Sequence, residues 1–208
     1  GPIELHELAV CYYHLENYKQ AVEFASQLLT KYPTYVELAA VHSLRILCLV
    51  LSGDHSEALK LLDERLKVQP ADTTLLGMTA FAQEKSGKMK ESIETHRRIL
   101  KIDPVNANSL NSLGYLLTLH GKPSESAEAF DCLKKAIELF PTHPAYLDSL
   151  GVFLTKKGQK DNARKALMKA LRKSPQNGEI LQHLKETLGL ETKKEEKKET
   201  KKETKSAK

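Results

Sequence analysis

The sequence predicts an all-α protein, a right-handed α-solenoid of about five helix-turn-helix units followed by a C-terminal capping helix. A recurring proline predicts the units, since Pro33, Pro70, Pro104, Pro141 and Pro175 are spaced by 34 or 37 residues. A glycine lies between successive prolines, and the apolar residues on either side of it follow a helical period. Together these patterns indicate one supersecondary unit repeated along the chain.

Each unit is expected to contain a helix, a glycine turn, a second helix and a proline turn. Gly53, Gly87, Gly121 and Gly158 are expected to end first helices in the left-handed conformation, which glycine adopts without steric cost. Proline cannot continue a helix and therefore ends the second one. We expect the extra residues of the 37-residue spacings to lengthen the first helix of unit two and the second helix of unit four by about one turn.

Small residues mark the places where the two helices of a unit approach each other. Gly114 with Ala129 and Gly151 with Ala163 supply them in the fourth and fifth units. In the second unit, Ser43 is expected at the position where glycine or alanine stands elsewhere.

These residues resemble the tetratricopeptide repeat (TPR) family, of the bacterial type with mixed 34- and 37-residue repeats. The motifs that carry the resemblance are Leu113-Gly114-Tyr115, Leu150-Gly151-Val152, Gly158 with Ala163, Ala136 with Pro141, and Ala170 with Pro175. We expect residues 1–2 to be a protease cleavage remnant and 3–190 to be the array. Its repeats are expected at 3–35, 36–72, 73–106, 107–143 and 144–177, with a cap at 178–190.

The net charge of +5 is unevenly distributed along the 208 residues. The last 18 residues hold eight Lys and five Glu, so they supply three of the five charges. The near-neutral remainder lacks the basic surface that nucleic-acid binding requires, and no nucleic-acid partner is expected. Residues 191–208 are expected to be disordered or a fraying helix. No apolar run is long enough to span a membrane.

The sequence contains no enzyme, cofactor or metal-binding motif, so we predict a protein that is not an enzyme and binds no metal or cofactor. Its eight histidines are scattered and are expected at the surface or at helix ends. Cys11, Cys48 and Cys132 lie in separate apolar helical segments, where cysteine acts as a small hydrophobic residue.

The resemblance implies that the first helices line a concave groove, and the residues on them that the core does not claim are candidates to bind a partner protein or peptide. Apolar and aromatic side chains alternate there with amides and short polar groups, a mixture that suits a peptide. No cluster of cations is present to clamp the carboxylate of an acidic chaperone tail. The candidate residues are Tyr13, Leu44, Leu47, Phe81, Asn108, Asn111, Tyr115, Thr118, Asp148 and Val152.

We therefore predict a non-catalytic interaction scaffold or adaptor, with a bacterial cell-envelope complex as one setting. One alternative is a homo-oligomer formed through the uncapped first repeat. Another is the regulatory domain of a larger protein whose N-terminal part precedes Gly1-Pro2. The compartment stays open between cytoplasm and periplasm, and a preceding lipoprotein signal would favour the envelope.

Overall fold

A computed structural model describes residues 1–190, and this part of the chain contains eleven α-helices and no strand. The expected Lys/Glu-rich tail at 191–208 lies outside the described residues. The helices are α1 Pro2–His14, α2 Tyr18–Lys31, α3 Leu38–Ser52, α4 His55–Val68, α5 Thr73–Lys85, α6 Met89–Ile102, α7 Ala107–His120, α8 Ser126–Leu139, α9 Pro144–Lys156, α10 Lys160–Lys173 and α11 Gly178–Leu188. A 3-10 helix, Pro123–Glu125, precedes α8.

The helices form two compact units, one over Gly1–Pro104 and one beginning at Val105. In the first unit, α1 packs on α2, α2 on α3, α4 on α5 and α5 on α6. In the second, α7 packs on α8 and α9 on α10, while α11 covers α9 and α10. The predicted class of helical hairpins followed by an additional C-terminal helix is confirmed.

Three of the four expected glycine turns adopt the left-handed conformation. Gly53, Gly87 and Gly158 have φ angles of 94°, 79° and 74°. The expectation for Gly121 is wrong, since its φ is −72°. The chain after Gly121 runs into the 3-10 helix Pro123–Glu125 and does not turn directly into the next helix.

The extra residues of the 37-residue spacings lie mainly in turns, so the expectation of a longer helix is wrong for α8, while α3 exceeds the other first helices by only one or two residues. Helix α8 has 14 residues, the same length as α10. The insertion in the fourth hairpin forms the 3-10 turn between α7 and α8. In the second hairpin, α3 has 15 residues, and the turn before it spans six residues, 32–37, where the other inter-hairpin turns have four.

Glycine does permit the close helix approach expected in the fourth and fifth helical hairpins, which belong to the second compact unit. A Cβ added to Gly114 would lie 2.6 Å from Cγ of Leu133 and 2.9 Å from the backbone oxygen of Ala129. A Cβ added to Gly151 would lie 2.6 Å from Cδ2 of Leu167. These distances are shorter than van der Waals contact, so only glycine fits without a shift of the helices.

Ser43 does not occupy the corresponding position of α3. Its hydroxyl donates to the backbone oxygen of Ala39, one turn earlier on the same helix. Because the insertion precedes α3, the residue that aligns with Ala9 and Ala80 is Ile46, which is buried. A branched side chain there keeps α4 at a distance, and α3 packs more extensively on α2 than on α4.

Candidate functional site

The candidate site is a pocket on the first helices of the second unit, which we call the Tyr115 pocket. It has a volume of about 140 Å³ and is formed by α7, α9 and α11. Its walls are Tyr115, Leu119, Val152, Thr155, Lys156, His183 and Glu186.

The close packing of each hairpin determines which residues reach the pocket. Gly114 and Gly151 face the second helices of their hairpins. Successive helix residues are rotated by about 100°, so Tyr115 and Val152 point away from the hairpin interface. Both predicted residues line the pocket.

Polar contacts join α11 to α9 beside the pocket. His183 Nδ1 donates to the Asp148 carboxylate, with distances of 2.9 and 3.0 Å to its two oxygens. This hydrogen bond raises the pKa of His183 against the opposing effect of burial, so the pair favours the charged imidazolium. Farther along the two helices, the hydroxyls of Thr155 and Thr187 lie 2.7 Å apart.

The surroundings of Tyr115 are acidic. Burial raises the pKa of its phenol, and the negative charges of Glu179, Asp148 and Glu186 raise it further. The Asp148 charge is compensated by His183. Glu186 is exposed and lines the pocket itself, so the site offers an aromatic ring beside a carboxylate.

Two predicted amides on α7 have different environments. Asn108 Oδ1 accepts a hydrogen bond of 2.7 Å from the Tyr146 hydroxyl of α9. Asn111 lies one turn before Tyr115, and its buried Oδ1 has no hydrogen-bond partner within residues 1–190. A buried acceptor without a partner carries a desolvation penalty of about 1–3 kcal/mol.

The remaining predicted residues do not join this pocket. Thr118 donates to the Gly114 backbone oxygen and faces a separate cavity beside the 3-10 turn. In the first unit, Leu44 and Phe81 pack against core clusters, while Tyr13 contacts the Tyr18 ring. Leu47 is half-buried on α3. A binding role for any of the ten candidates stays a prediction.

Sequence reasoning missed the contribution of α11, because that helix was interpreted only as a cap. His183 and Glu186 both belong to it. The expectation that the histidines lie at the surface or at helix ends is wrong for His183 and for His96, which is buried. The sequence does contain one signal for the contact of His183. It follows Asp148 by 35 residues, nearly one repeat, and residues one repeat apart lie on neighbouring first helices.

Cys48 and Cys132 are buried as expected, whereas Cys11 is exposed, which corrects its assignment to the core. Burial raises the pKa of the Cys48 thiol to about 11, so this cysteine is unreactive at neutral pH. Within residues 1–190, no group of three or more His, Cys, Asp or Glu side chains is placed to hold a metal ion. Over the same range, no helix combines the length and apolarity of a membrane span.

Comparisons with known proteins find the same repeat. Residues 8–117 match the family model of the psidin N-terminal TPR repeats region, and residues 145–177 match a tetratricopeptide repeat model. The chain is 32% identical over 135 residues to the TPR repeat-containing protein PA4667 of Pseudomonas aeruginosa, covering 65% of this chain and 22% of that protein. It is 28% identical over 122 residues to the TPR repeat-containing protein DDB_G0285095 of Dictyostelium discoideum, covering 57% and 46%. The chain thus spans less than half of either relative.

Solved structures share the fold at low sequence identity. A tetratricopeptide repeat protein from Parabacteroides merdae has a TM-score of 0.68 at 16% identity, covering 91% of this chain and 74% of the other. TTC0263, a TPR protein of Thermus thermophilus, has a TM-score of 0.69 at 18% identity, covering 90% and 99%. YrrB, described as a TPR protein with an unusual peptide-binding site, has a TM-score of 0.58 at 18% identity, covering 88% and 91%. The repeat motifs, the helical hairpins and a family model that matches more than half of its residues place this chain in the tetratricopeptide repeat family, to which it belongs.

Proposed function

We propose that this chain is a non-catalytic scaffold that holds an extended segment of a partner protein across the Tyr115 pocket, with a basic side chain of that segment beside Tyr115. TPR proteins are typically non-enzymatic scaffolds that bind peptides or proteins. The observation that carries the finer proposal is the combination of an accessible aromatic ring with neighbouring carboxylates in one pocket.

Three carboxylates act on the Tyr115 phenol while Lys156 also lines the pocket, and this balance favours a basic segment over an acidic one. The ring face of Tyr115 attracts a cation, and Glu186 supplies an ionic partner at the pocket wall. Asn111 lies one turn away on the same helix, and its Oδ1 can accept from a peptide N–H once the side chain turns towards the pocket. Val152 supplies apolar area that a peptide side chain can bury.

YrrB provides a fold-level parallel, since a peptide-binding site is described for that protein. At 18% identity the parallel supports the shared scaffold and does not transfer residues. A place in a bacterial cell-envelope complex stays a prediction, which fractionation of cells that produce the whole native protein would test.

The experiment selects dodecapeptides from a phage-displayed library on the immobilised chain and measures their affinities by fluorescence anisotropy. We expect the selected peptides to be enriched in Lys and Arg. Tyr115→Ala is expected to weaken their binding about tenfold or more, and Glu186→Gln by a smaller factor. Phe130→Ala is the matched control, because Phe130 is an exposed aromatic residue on α8, away from the pocket. Equal affinities for wild type, Tyr115→Ala and Asn111→Ala would overturn the assignment.

Self-association through α1 is a second candidate, supported by two exposed apolar side chains on that helix. Ile3 is 60% exposed and Leu8 is 40% exposed. Sedimentation velocity between micromolar and millimolar protein tests this candidate. Dimers that Leu8→Lys dissociates would support it, and a monomer at every concentration would exclude it.

A further inference from the structure

A second surface of the second unit lies between α10 and α11, and we call it the α10–α11 groove. Its volume is about 550 Å³, and none of its residues lines the Tyr115 pocket. The lining is mainly apolar, with Met168, Leu171, Leu184 and Leu188 placed between Arg164 and Arg172.

The groove lies beside the last helix that the structure describes. In the preceding hairpin, α10 covers α9 and buries Leu167 against Gly151. Within residues 1–190, no further helix covers α11 in that way. Lys185 follows Gly151 by one 34-residue repeat and replaces the small residue that close packing requires. A hairpin partner would therefore not pack here as α10 packs on α9, and within residues 1–190 the apolar strip is uncovered.

The apolar residues of the groove are accessible. Met168 is 41% exposed and Leu188 is 48% exposed. From Arg164 to Arg172 the groove follows α10 over eight residue steps, which corresponds to about 12 Å, or just over two helical turns, and Pro175 lies after the end of the helix. A contiguous apolar strip of this length, bordered by charge, is typical of a surface that receives another helix.

The positive charge beside the groove indicates an acidic partner. Helix α10 carries six Lys and Arg residues against one Asp. Within the described part of the chain, neither Arg164 nor Arg172 has a carboxylate within 4.0 Å. Two unpaired guanidinium groups that flank an apolar strip are complementary to carboxylates that flank an apolar strip on the partner.

Residues 191–208 have the wrong composition for this role. Their only apolar residue is Ala207, and they carry a net charge of +3. A segment of this composition would bring little apolar area and additional positive charge to a basic groove.

We propose that the α10–α11 groove binds an acidic amphipathic helix of a partner protein. The apolar face of that helix lies on Met168, Leu184 and Leu188, and its carboxylates pair with Arg164 and Arg172. This site is separate from the Tyr115 pocket in both position and charge preference. The chain therefore offers two surfaces, one for a basic extended segment and one for an acidic helix.

The probe that tests the proposal is a fluorescein-labelled copy of the α10 sequence 160–173 in which every Lys and Arg is Glu. It keeps the apolar spacing of a helix that packs in this fold and reverses the charge. Controls are a scrambled peptide of the same composition and the unaltered basic α10 peptide. Fluorescence anisotropy with the full chain measures all three. We expect the acidic probe to bind at least tenfold more tightly than either control.

Two groups of variants separate the apolar and charged contributions. Met168→Glu and Leu188→Glu are expected to weaken probe binding about tenfold or more, and both side chains are exposed enough for the fold to tolerate the change. The double variant Arg164→Glu, Arg172→Glu should have a lower affinity for the acidic probe and should bind the basic α10 peptide instead. Equal binding of probe and scrambled peptide, or affinities unchanged in all of these variants, would overturn the proposal.

Other occupants of the groove give distinct results, and each would overturn the proposal. Probe affinity that rises tenfold when residues 191–208 are deleted would identify the tail as the occupant. A dimer in sedimentation velocity that Leu188→Glu dissociates would identify a second copy of the chain. Unchanged affinity on deletion, together with a chain that stays monomeric, supports a helix from another protein.

Discussion

The hairpins of the second unit are centred on glycine and leucine. Gly114 packs on Leu133 in α7–α8, and Gly151 packs on Leu167 in α9–α10. Both leucines are fully buried. The contacts at these centres are apolar and tight, so their stability depends on shape.

In the α5–α6 hairpin of the first unit, Ala80 takes the place of Gly114, and polar side chains occupy two of the buried positions that face it. Ser92 and His96 stand one repeat before Ala129 and Leu133, and both are buried. Their hydroxyl and imidazole meet at Glu84, with Ser92 Oγ donating to Glu84 Oε1 at 3.0 Å and His96 Nε2 at 3.3 Å. His96 Nδ1 is buried without a hydrogen-bond partner among the described residues. The same backbone plan therefore accepts either an apolar contact or a polar network that is incompletely satisfied.

The largest expected effect comes from filling the glycine position of the second unit. Gly151→Ala places a methyl group 2.6 Å from Leu167 Cδ2, and we expect it to reduce the free energy of unfolding by about 2–3 kcal/mol. Gly77→Ala is the matched control, because a Cβ on Gly77 meets nothing within 4 Å. Replacing a helical glycine by alanine without a clash stabilises by about 0.5–1 kcal/mol. Urea unfolding followed by circular dichroism measures both changes in unfolding free energy. Changes of the same sign in the two variants would contradict the close helix approach at Gly151.

Exchanging the polar network for the second unit's side chains tests the first unit. Glu84→Ala removes the acceptor for Ser92 and His96 and should destabilise by about 1–3 kcal/mol. The triple change Glu84→Thr, Ser92→Ala and His96→Leu installs the side chains found one repeat later. We expect it to be neutral or to stabilise by up to about 2 kcal/mol, since it removes buried polar groups together with their partners. A triple variant less stable than Glu84→Ala would show that the two hairpins are not interchangeable.

The two units also differ in how much of their packing the sequence could predict. Proline spacing and the glycines predict the hairpins, because proline ends a helix and glycine permits a left-handed turn or a close helix approach, although Gly121 does not make the left-handed turn expected from its position. Ser43 was misplaced because an insertion of three residues leaves its own position unspecified, and the buried Ile46 shows the true alignment. The burial of His96 has no signal in a single sequence except its alignment with Leu133.

The candidate site divides in the same way. Tyr115 and Val152 were predictable because each follows a glycine that faces the hairpin partner. His183 and Glu186 depend on how α11 lies against α9, and this follows from tertiary packing that a helical period does not encode. The α10–α11 groove was not predicted, since α11 was interpreted only as a cap.

The third prediction compares a His–carboxylate pair in each unit. Asp148 and His183 are mostly buried, whereas the His6–Glu37 pair of the first unit, at 3.1 Å, has a carboxylate that is 57% exposed. Double-mutant cycles with Asp148→Asn and His183→Gln should give a coupling energy on the order of 1 kcal/mol. The same substitutions at Glu37 and His6 should give less than about 0.5 kcal/mol. Similar coupling energies for the two pairs would contradict the expectation that the more buried pair is the stronger one.

The pH dependence of the buried pair follows from the raised pKa of His183, which its hydrogen bond to Asp148 causes. Because the folded state binds this proton more tightly than the unfolded chain, the stabilisation is complete below the unfolded pKa of about 6.5. It is lost as the pH rises through the pKa of the folded state. Asp148→Asn should reduce this slope of unfolding free energy against pH, and an unchanged slope would show that His183 is not its source.

The smallest expected effect concerns the first turn of the first unit. Glu16 has a φ of 57° and occupies the place that Gly87 and Gly158 take in later hairpins. The left-handed conformation costs a non-glycine residue about 1–2 kcal/mol, and glycine avoids this cost. Glycine also raises the entropy of the unfolded chain, which offsets part of the stabilisation. Glu16→Gly should therefore stabilise by about 0.5–1 kcal/mol, and Gly158→Ala should destabilise by a similar amount. Both changes are measured as shifts of the thermal midpoint, and a destabilising Glu16→Gly would mean that the turn of the first hairpin depends on its side chain.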